Sequence, residues 1–163
     1  MASIEVLNPY SSDSIHTLEL SSNEVAFAKL EKANALYQKH PKGLSKEKRI
    51  SILEKFYEKF YEAKEALIQL AVLEGAKPLN DTEVEFNRAL EGIKLGVQAV
   101  RSIIGEQVPM NLNTASTNKL AYTIKSPIGV VLSISAFNHP INLAIHQIVP
   151  AIASGCPVIY KPA

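Results

Sequence analysis

Two polar side chains in the last third of the sequence have types and positions suited to chemistry. Asn138 lies in the loop SAFNHP, residues 135–140, directly after an apolar run. Its amide is a neutral donor of the kind that stabilises an oxyanion, although an asparagine beside a proline is more often a turn former or helix cap. Lys161 ends a second apolar run, where its ammonium could reach ribose hydroxyls or a phosphate. An ordinary solvated lysine fits that position equally well.

The other reactive residue types suggest structural roles. Cys156 is the single cysteine, so neither a disulfide framework nor a thiolate metal cluster is available, and the four histidines show no ligand spacing. We therefore expect no metal site and interpret Cys156 as a small buried residue. His139 and His146 are expected to lack a nearby serine, cysteine or carboxylate with which to form a relay, which favours packing or capping roles. The loop at 135–140 contains no glycine and so lacks the GxGxxG dinucleotide fingerprint.

The elements around this loop predict an α/β fold. Residues 128–135, IGVVLSIS, are apolar on both faces, as a strand of a parallel sheet requires. A helix is expected from near Pro140 to Gly155, with Pro150 inside it, and CPVIYK at 156–161 is the next strand. Strand, helix and strand form a βαβ unit, and in such sheets ligands bind beyond the carboxyl ends of the strands.

Upstream residues predict mainly helices. A short strand is expected at 3–7 and a half-exposed strand at 120–125. Helices are expected from Ser21, in a capping box with Glu24, from about Ser45, from about Glu62 to Gly75, and from Asp81 or Thr82 to Gly105. The last carries a heptad-like apolar series, Phe86, Leu90, Ile93, Val97, Val100 and Ile104. A coiled coil is one interpretation, but a long helix packed on a core is favoured.

Charge and composition exclude several classes of protein. Seventeen basic and sixteen acidic side chains leave a net charge of +1, which provides no general field for nucleic acid or an anionic membrane. The uncharged stretch between Lys125 and Lys161 contains four prolines and is not a transmembrane helix. No signal peptide is evident, so a cytoplasmic location is expected.

Two parallel strands cannot form a stable sheet alone, and we therefore expect an amino-terminal portion of a larger protein.

Long segments of the sequence resemble one protein family. SPIGVVLSISAFNHP at 126–140 and IVPAIASGCPVIYKPA at 148–163 look like segments of the NAD(P)-dependent aldehyde dehydrogenase superfamily. The likeness extends to NPYSSD near the start, to Arg49 with SILEKF, and to EGAKPLNDTEVEFNRALEG at 74–92. It implies amino-terminal helices leading into an open, parallel, Rossmann-like sheet that is incomplete in this chain.

The resemblance also implies roles for particular residues. Asn138 would donate to the oxyanion of a cysteine thiohemiacetal, formed as an aldehyde is oxidised through a thioester to a carboxylic acid. The backbone of Ser135, Ala136 and Phe137 would line NAD or NADP, and Lys161 would bind the adenosine ribose or a 2′-phosphate. The cysteine nucleophile and the glutamate base of the family belong beyond residue 163, so this chain alone is expected to be inactive.

The resemblance further implies an organisation for the chain. Residues 1–117 would be the helical part of the cofactor-binding domain, 118–126 a strand of an oligomerisation arm, and 127–163 the first βαβ unit of the sheet. The substrate would be a small-molecule aldehyde, and the protein would assemble as a homodimer or homotetramer. Two alternatives stay open at this point, namely a stand-alone helical interaction module and an acyl-CoA-forming or semialdehyde-specific relative.

Overall fold

The computed structural model describes residues 2–163 and has the expected α/β architecture. This part of the chain contains five helices and three small sheets of two strands each. The elements are β1 Ser3–Leu7, β2 Ser14–Glu19, α1 Asn23–Lys39, α2 Lys46–Glu62, α3 Lys64–Gly75, α4 Leu79–Ser102, β3 Gln107–Val108, β4 Ala121–Tyr122, β5 Val131–Ile134, α5 Pro140–Ser154 and β6 Val158–Lys161.

The first sheet is an antiparallel hairpin of β1 and β2, of which the sequence predicted only β1. The hairpin is held against the end of α3. Asn8 donates its side-chain amide to the Leu73 carbonyl at 2.9 Å, and His16 Nε2 lies 2.9 Å from a carboxylate oxygen of Glu74. These contacts, together with pairing to β1, stabilise a strand whose own residues are mostly exposed.

Serine side chains begin two of the helices. The Ser45 hydroxyl accepts a hydrogen bond from the Lys48 backbone, as expected for the start of α2. The predicted capping box of Ser21 with Glu24 is wrong by one residue, because the N-cap of α1 is Ser22, whose hydroxyl accepts from the Val25 N–H.

The long helix α4 is the centre of the core. It has the expected 24 residues, but the predicted cap at Asp81 or Thr82 is wrong. The helix begins at Leu79 after Pro78, and the Thr82 hydroxyl donates to the Pro78 carbonyl. The heptad-like residues pack against α2, α3 and α5 within one chain, which confirms the core interpretation. Ile104, beyond the end of the helix, is the exception at 69% exposed.

Small residues allow α4 and α5 to approach closely. A Cβ atom placed on Gly96 would lie 2.1 Å from Cγ1 of Val149, and one on Gly92 would lie 3.2 Å from Cγ2 of Ile145. Ile145 and Val149 are themselves almost fully buried. The two helices are therefore packed with no spare space at these positions.

The predicted βαβ unit is confirmed. Strands β5 and β6 pair in parallel, and α5 runs between them from Pro140 to Ser154, followed by Gly155 at φ 86°. The Ser133 hydroxyl donates to the Gln147 side chain at 2.6 Å, and Gln147 donates to the Ile134 carbonyl at 3.1 Å. These bonds fix α5 over one face of β5, while Leu132 on the other face is 63% exposed within residues 2–163.

Candidate functional site

The carboxyl ends of β5 and β6 lie side by side and bring Ser135 next to Lys161. Ile134 and Lys161 are the last pair in the register of the two strands. One residue further on, the Ser135 N–H donates to the Lys161 carbonyl at 3.1 Å. Ser135 is buried, whereas the Lys161 side chain is exposed at the edge of the sheet. The start of the loop at 135–139 is thus attached to the end of the neighbouring strand.

The middle of this loop faces outward. Ala136, Phe137 and Asn138 are exposed, Phe137 to 85%. Phe137 and Asn138 line an open cleft of about 520 Å³ between the loop and the start of α4, with Lys77 and Arg88 on its other side. The Asn138 amide is therefore placed where a molecule in the cleft could meet it. The roles predicted for these residues stay predictions.

A buried carboxylate lies behind the loop. Glu85 of α4 is 1% exposed, and its Oε1 accepts hydrogen bonds from the backbone N–H groups of Ile141 and Asn142 at 2.8 and 2.9 Å. Its Oε2 accepts from the Lys77 ammonium. Burial raises the pKa of Glu85, but the Lys77 hydrogen bond, the two backbone donors and the Lys77 charge outweigh burial and hold the pKa below its ordinary value. Glu85 is consequently an ionised interior group.

Sequence reasoning missed Glu85, although a signal was present. On a helix, residues 82, 85, 86, 89, 90 and 93 share one face, and every one of them is buried in α4. A carboxylate on an otherwise apolar or small face indicates a buried partner. That partner could not be identified from spacing, because the N–H groups that donate to Glu85 belong to another helix, and the nearer one lies 56 residues away in the sequence.

The structure places a carboxylate beside His139 and agrees with the interpretation of Cys156. His139 was expected to lack a carboxylate, but its Nδ1 lies 3.4 Å from Oε2 of Glu85 and 2.9 Å from Nζ of Lys77. Cys156 is 6% exposed, and it precedes β6 at the end of the strand opposite the loop. Cys156 is therefore the small buried residue that its position predicted.

The described residues contain no group of three or more His, Cys, Asp or Glu side chains placed to hold a metal ion. Within the same range, no helix combines the length and the apolar character needed to cross a bilayer.

Comparisons with known proteins extend over the whole chain. The model of the aldehyde dehydrogenase family matches residues 1–163. A lactaldehyde dehydrogenase from Methanocaldococcus jannaschii is 32% identical over 160 residues, which cover 98% of this chain and 33% of that protein. The chain thus spans about a third of the length of the curated relatives it matches.

Solved structures share the fold. Aldehyde dehydrogenase 21 from Physcomitrella patens, in complex with succinate, superposes with a TM-score of 0.92 at 26% identity. The match covers 99% of this chain and 34% of that protein. An NADP-dependent glyceraldehyde-3-phosphate dehydrogenase from Bacillus halodurans, complexed with NADP, superposes with a TM-score of 0.91 at 29% identity. The match covers 99% of this chain and 34% of that protein. Motifs, architecture and family match agree, and the chain belongs to the aldehyde dehydrogenase family.

Proposed function

We propose that residues 1–163 form the amino-terminal part of an enzyme that oxidises an aldehyde to a carboxylic acid with NAD or NADP. The observation that carries this proposal is the placement of Asn138 and Lys161. Lys161 ends β6, and Asn138 lies in the loop that follows the adjacent carboxyl end of the parallel strand β5, where open α/β sheets bind nucleotides. The family match along the whole chain favours this enzyme over a stand-alone helical module.

The dinucleotide would bind at this edge of the sheet. NAD or NADP, when bound, accepts a hydride from the substrate. The exposed Lys161 ammonium would contact the adenosine ribose or a 2′-phosphate, and the backbone of Ser135, Ala136 and Phe137 would line the cofactor. In support, the loop start and Lys161 are joined by a backbone hydrogen bond, and the Bacillus halodurans relative is complexed with NADP.

Asn138 would act on the substrate oxygen. When a cysteine thiolate attacks an aldehyde, negative charge develops on the carbonyl oxygen, and a fixed amide donor stabilises that charge. Asn138 is exposed at the cleft and carries no charge of its own. A neutral donor suits this role, because it holds the oxyanion without protonating it.

Substitution of Asn138 in the complete protein tests this role. Asn138→Ala is expected to lower kcat by about 10²–10³, the usual cost of removing one oxyanion donor, while the KM for NAD(P) stays nearly unchanged. The matched control is Asn87→Ala, which removes an exposed asparagine on α4 and should leave kcat unchanged. Equal kcat in wild type and Asn138→Ala would contradict the proposal.

We also propose that the nucleophile and the general base lie outside these residues. A polypeptide of 17.8 kDa with this sequence should show no aldehyde-dependent formation of NADH or NADPH, whereas the complete protein should show it. The one cysteine present is buried at the wrong end of β6. Turnover by a chain whose intact mass confirms 163 residues would refute the proposal that the nucleophile and the general base lie elsewhere.

The strand region at 118–126 is proposed as an arm that contacts another subunit. β4 pairs only with the two-residue β3, and Leu120, Tyr122 and Ile124 around it are 75%, 66% and 79% exposed within residues 2–163. Such an apolar edge favours pairing with a second copy. The mass of the complete protein measured by light scattering should be that of a homodimer or homotetramer. Ile124→Asp should lower this mass, because a charge on the apolar edge weakens the contact between subunits. A wild-type monomer at micromolar concentration would count against the arm.

A further inference from the structure

The amino end of α5 lacks a cap from its own residues. His139 occupies the N-cap position and makes no side-chain cap hydrogen bond. The N–H groups of Ile141 and Asn142 bond instead to Oε1 of Glu85, which comes from α4. Glu85 therefore performs the function of an N-cap across a tertiary contact, and its negative charge also interacts favourably with the positive end of the helix.

Lys77 connects this cap to the residue beside Asn138. Its ammonium donates to Oε2 of Glu85 and lies 2.9 Å from Nδ1 of His139. An ammonium group can only donate, so Nδ1 of His139 accepts and the imidazole proton is assigned to Nε2. Lys77 thereby neutralises the buried carboxylate and fixes the ring of the residue that follows Asn138.

The two ends of the Asn138 loop are thus held by different elements. The Ser135 N–H is bound to β6 through the Lys161 carbonyl, and the start of α5 is bound to α4 through Glu85. We propose that Glu85, paired with Lys77, is a positioning residue that holds the Asn138 amide in place for the oxyanion. This inference rests on the proposed function of Asn138.

A double-mutant cycle in the complete protein tests the inference. Glu85→Ala should lower kcat by about tenfold or more, since a displacement of about 1 Å costs up to about a hundredfold, with little change in the KM for NAD(P). In the Asn138→Ala background the same change should alter kcat by less than about twofold, because the group it positions is already absent. A purely structural role would lower kcat by the same factor in both backgrounds and would overturn the inference.

The cycle separates this inference from the proposed function. If Asn138→Ala lowers kcat and Glu85→Ala does not, the positioning role is wrong and the proposed function stands. If Asn138→Ala leaves kcat unchanged, the proposed function fails and this inference fails with it. Glu83→Gln is the matched control, because Glu83 is an exposed carboxylate two residues away on α4, and it should leave kcat unchanged.

An isosteric variant keeps the test valid if Glu85→Ala does not fold. Glu85→Gln retains an oxygen for the Ile141 and Asn142 N–H groups but directs an amide NH₂ at the Lys77 ammonium. Glu85→Gln combined with Lys77→Met removes that repulsion and should restore part of the lost kcat. Equal kcat for Glu85→Gln with and without Lys77→Met would overturn the role given to Lys77.

Hydrogen exchange gives a readout that does not depend on turnover. In Glu85→Ala, the amides of Ile141 and Asn142 should lose protection, while those in the middle of α5 keep it. Unchanged protection at both residues would show that another group caps α5 and would overturn the inference.

Discussion

Glu85 and Lys161 are both charged, and each forms a hydrogen bond at one end of the Asn138 loop, but they lie in opposite surroundings. Glu85 is 1% exposed, and three different residues donate hydrogen bonds to its carboxylate. The Lys161 side chain is exposed, and only its backbone is fixed, by pairing with β5 and by the Ser135 N–H. The interior charge has fixed partners, and the edge charge is free to meet a ligand.

This difference separates support from chemistry. Behind the loop, α4 and α5 meet through Gly96, Val149 and Glu85, all buried. In front of it, Asn138 and Phe137 face the cleft. Substitutions behind the loop should therefore change folding stability, and at Glu85 they should also lower turnover through the position of Asn138, whereas substitutions in front should change binding or turnover and leave stability intact.

The largest effect on stability is expected at the contact between α4 and α5. In Gly96→Ala the new methyl group would lie 2.1 Å from Cγ1 of Val149, a buried, β-branched residue with little freedom to move. Such overpacking typically costs about 1–3 kcal/mol, to be measured as the free energy of unfolding in urea. The control is Gly75→Ala, where the nearest atom to the new methyl lies 3.8 Å away. Equal stability of the two variants would contradict the packing seen here.

A second effect concerns pH. The folded-state pKa of Glu85 lies below its ordinary value of 4.5, because Lys77 and the two backbone donors outweigh the effect of burial. The unfolded state therefore takes up its proton first as pH falls, so stability that is present above about pH 4.5 is lost as pH falls through the folded pKa. The difference in unfolding free energy between wild type and Glu85→Gln should shrink as pH is lowered from 6 to about 3. A difference that stays constant with pH would show that folding does not lower the pKa of Glu85, contrary to the effect expected from Lys77 and the two backbone donors.

The sequence predicted those features that depend on local pattern. The apolar series from Phe86 to Val100 indicated both the helix and its buried face, and the two apolar runs around Pro140 predicted the βαβ unit. Each of these signals lies within one element, so that periodicity and β-propensity are sufficient to detect it.

The features that sequence reasoning missed depend on contacts between distant residues. Strand β2 is stabilised by β1 and by the end of α3 rather than by its own composition. The start of α4 differs from the expected cap because Pro78 directs the chain into the helix and no side chain caps it. Glu85 has a role only because the start of α5 lies against α4, and no spacing along the chain encodes that contact.

The smallest effect on stability is expected at the exposed edge. Lys161→Ala removes a side chain outside every hydrogen bond seen among residues 2–163, so the free energy of unfolding should change by no more than about 0.5 kcal/mol. If Lys161 binds the ribose or a 2′-phosphate, the KM for NAD(P) should rise by about tenfold, the usual value of a charged hydrogen bond. Lys55→Ala, at an exposed lysine of α2, should change neither quantity. A loss of stability as large as that of Gly96→Ala would mean that the edge also supports the fold, and the division between interior support and exposed chemistry would not hold.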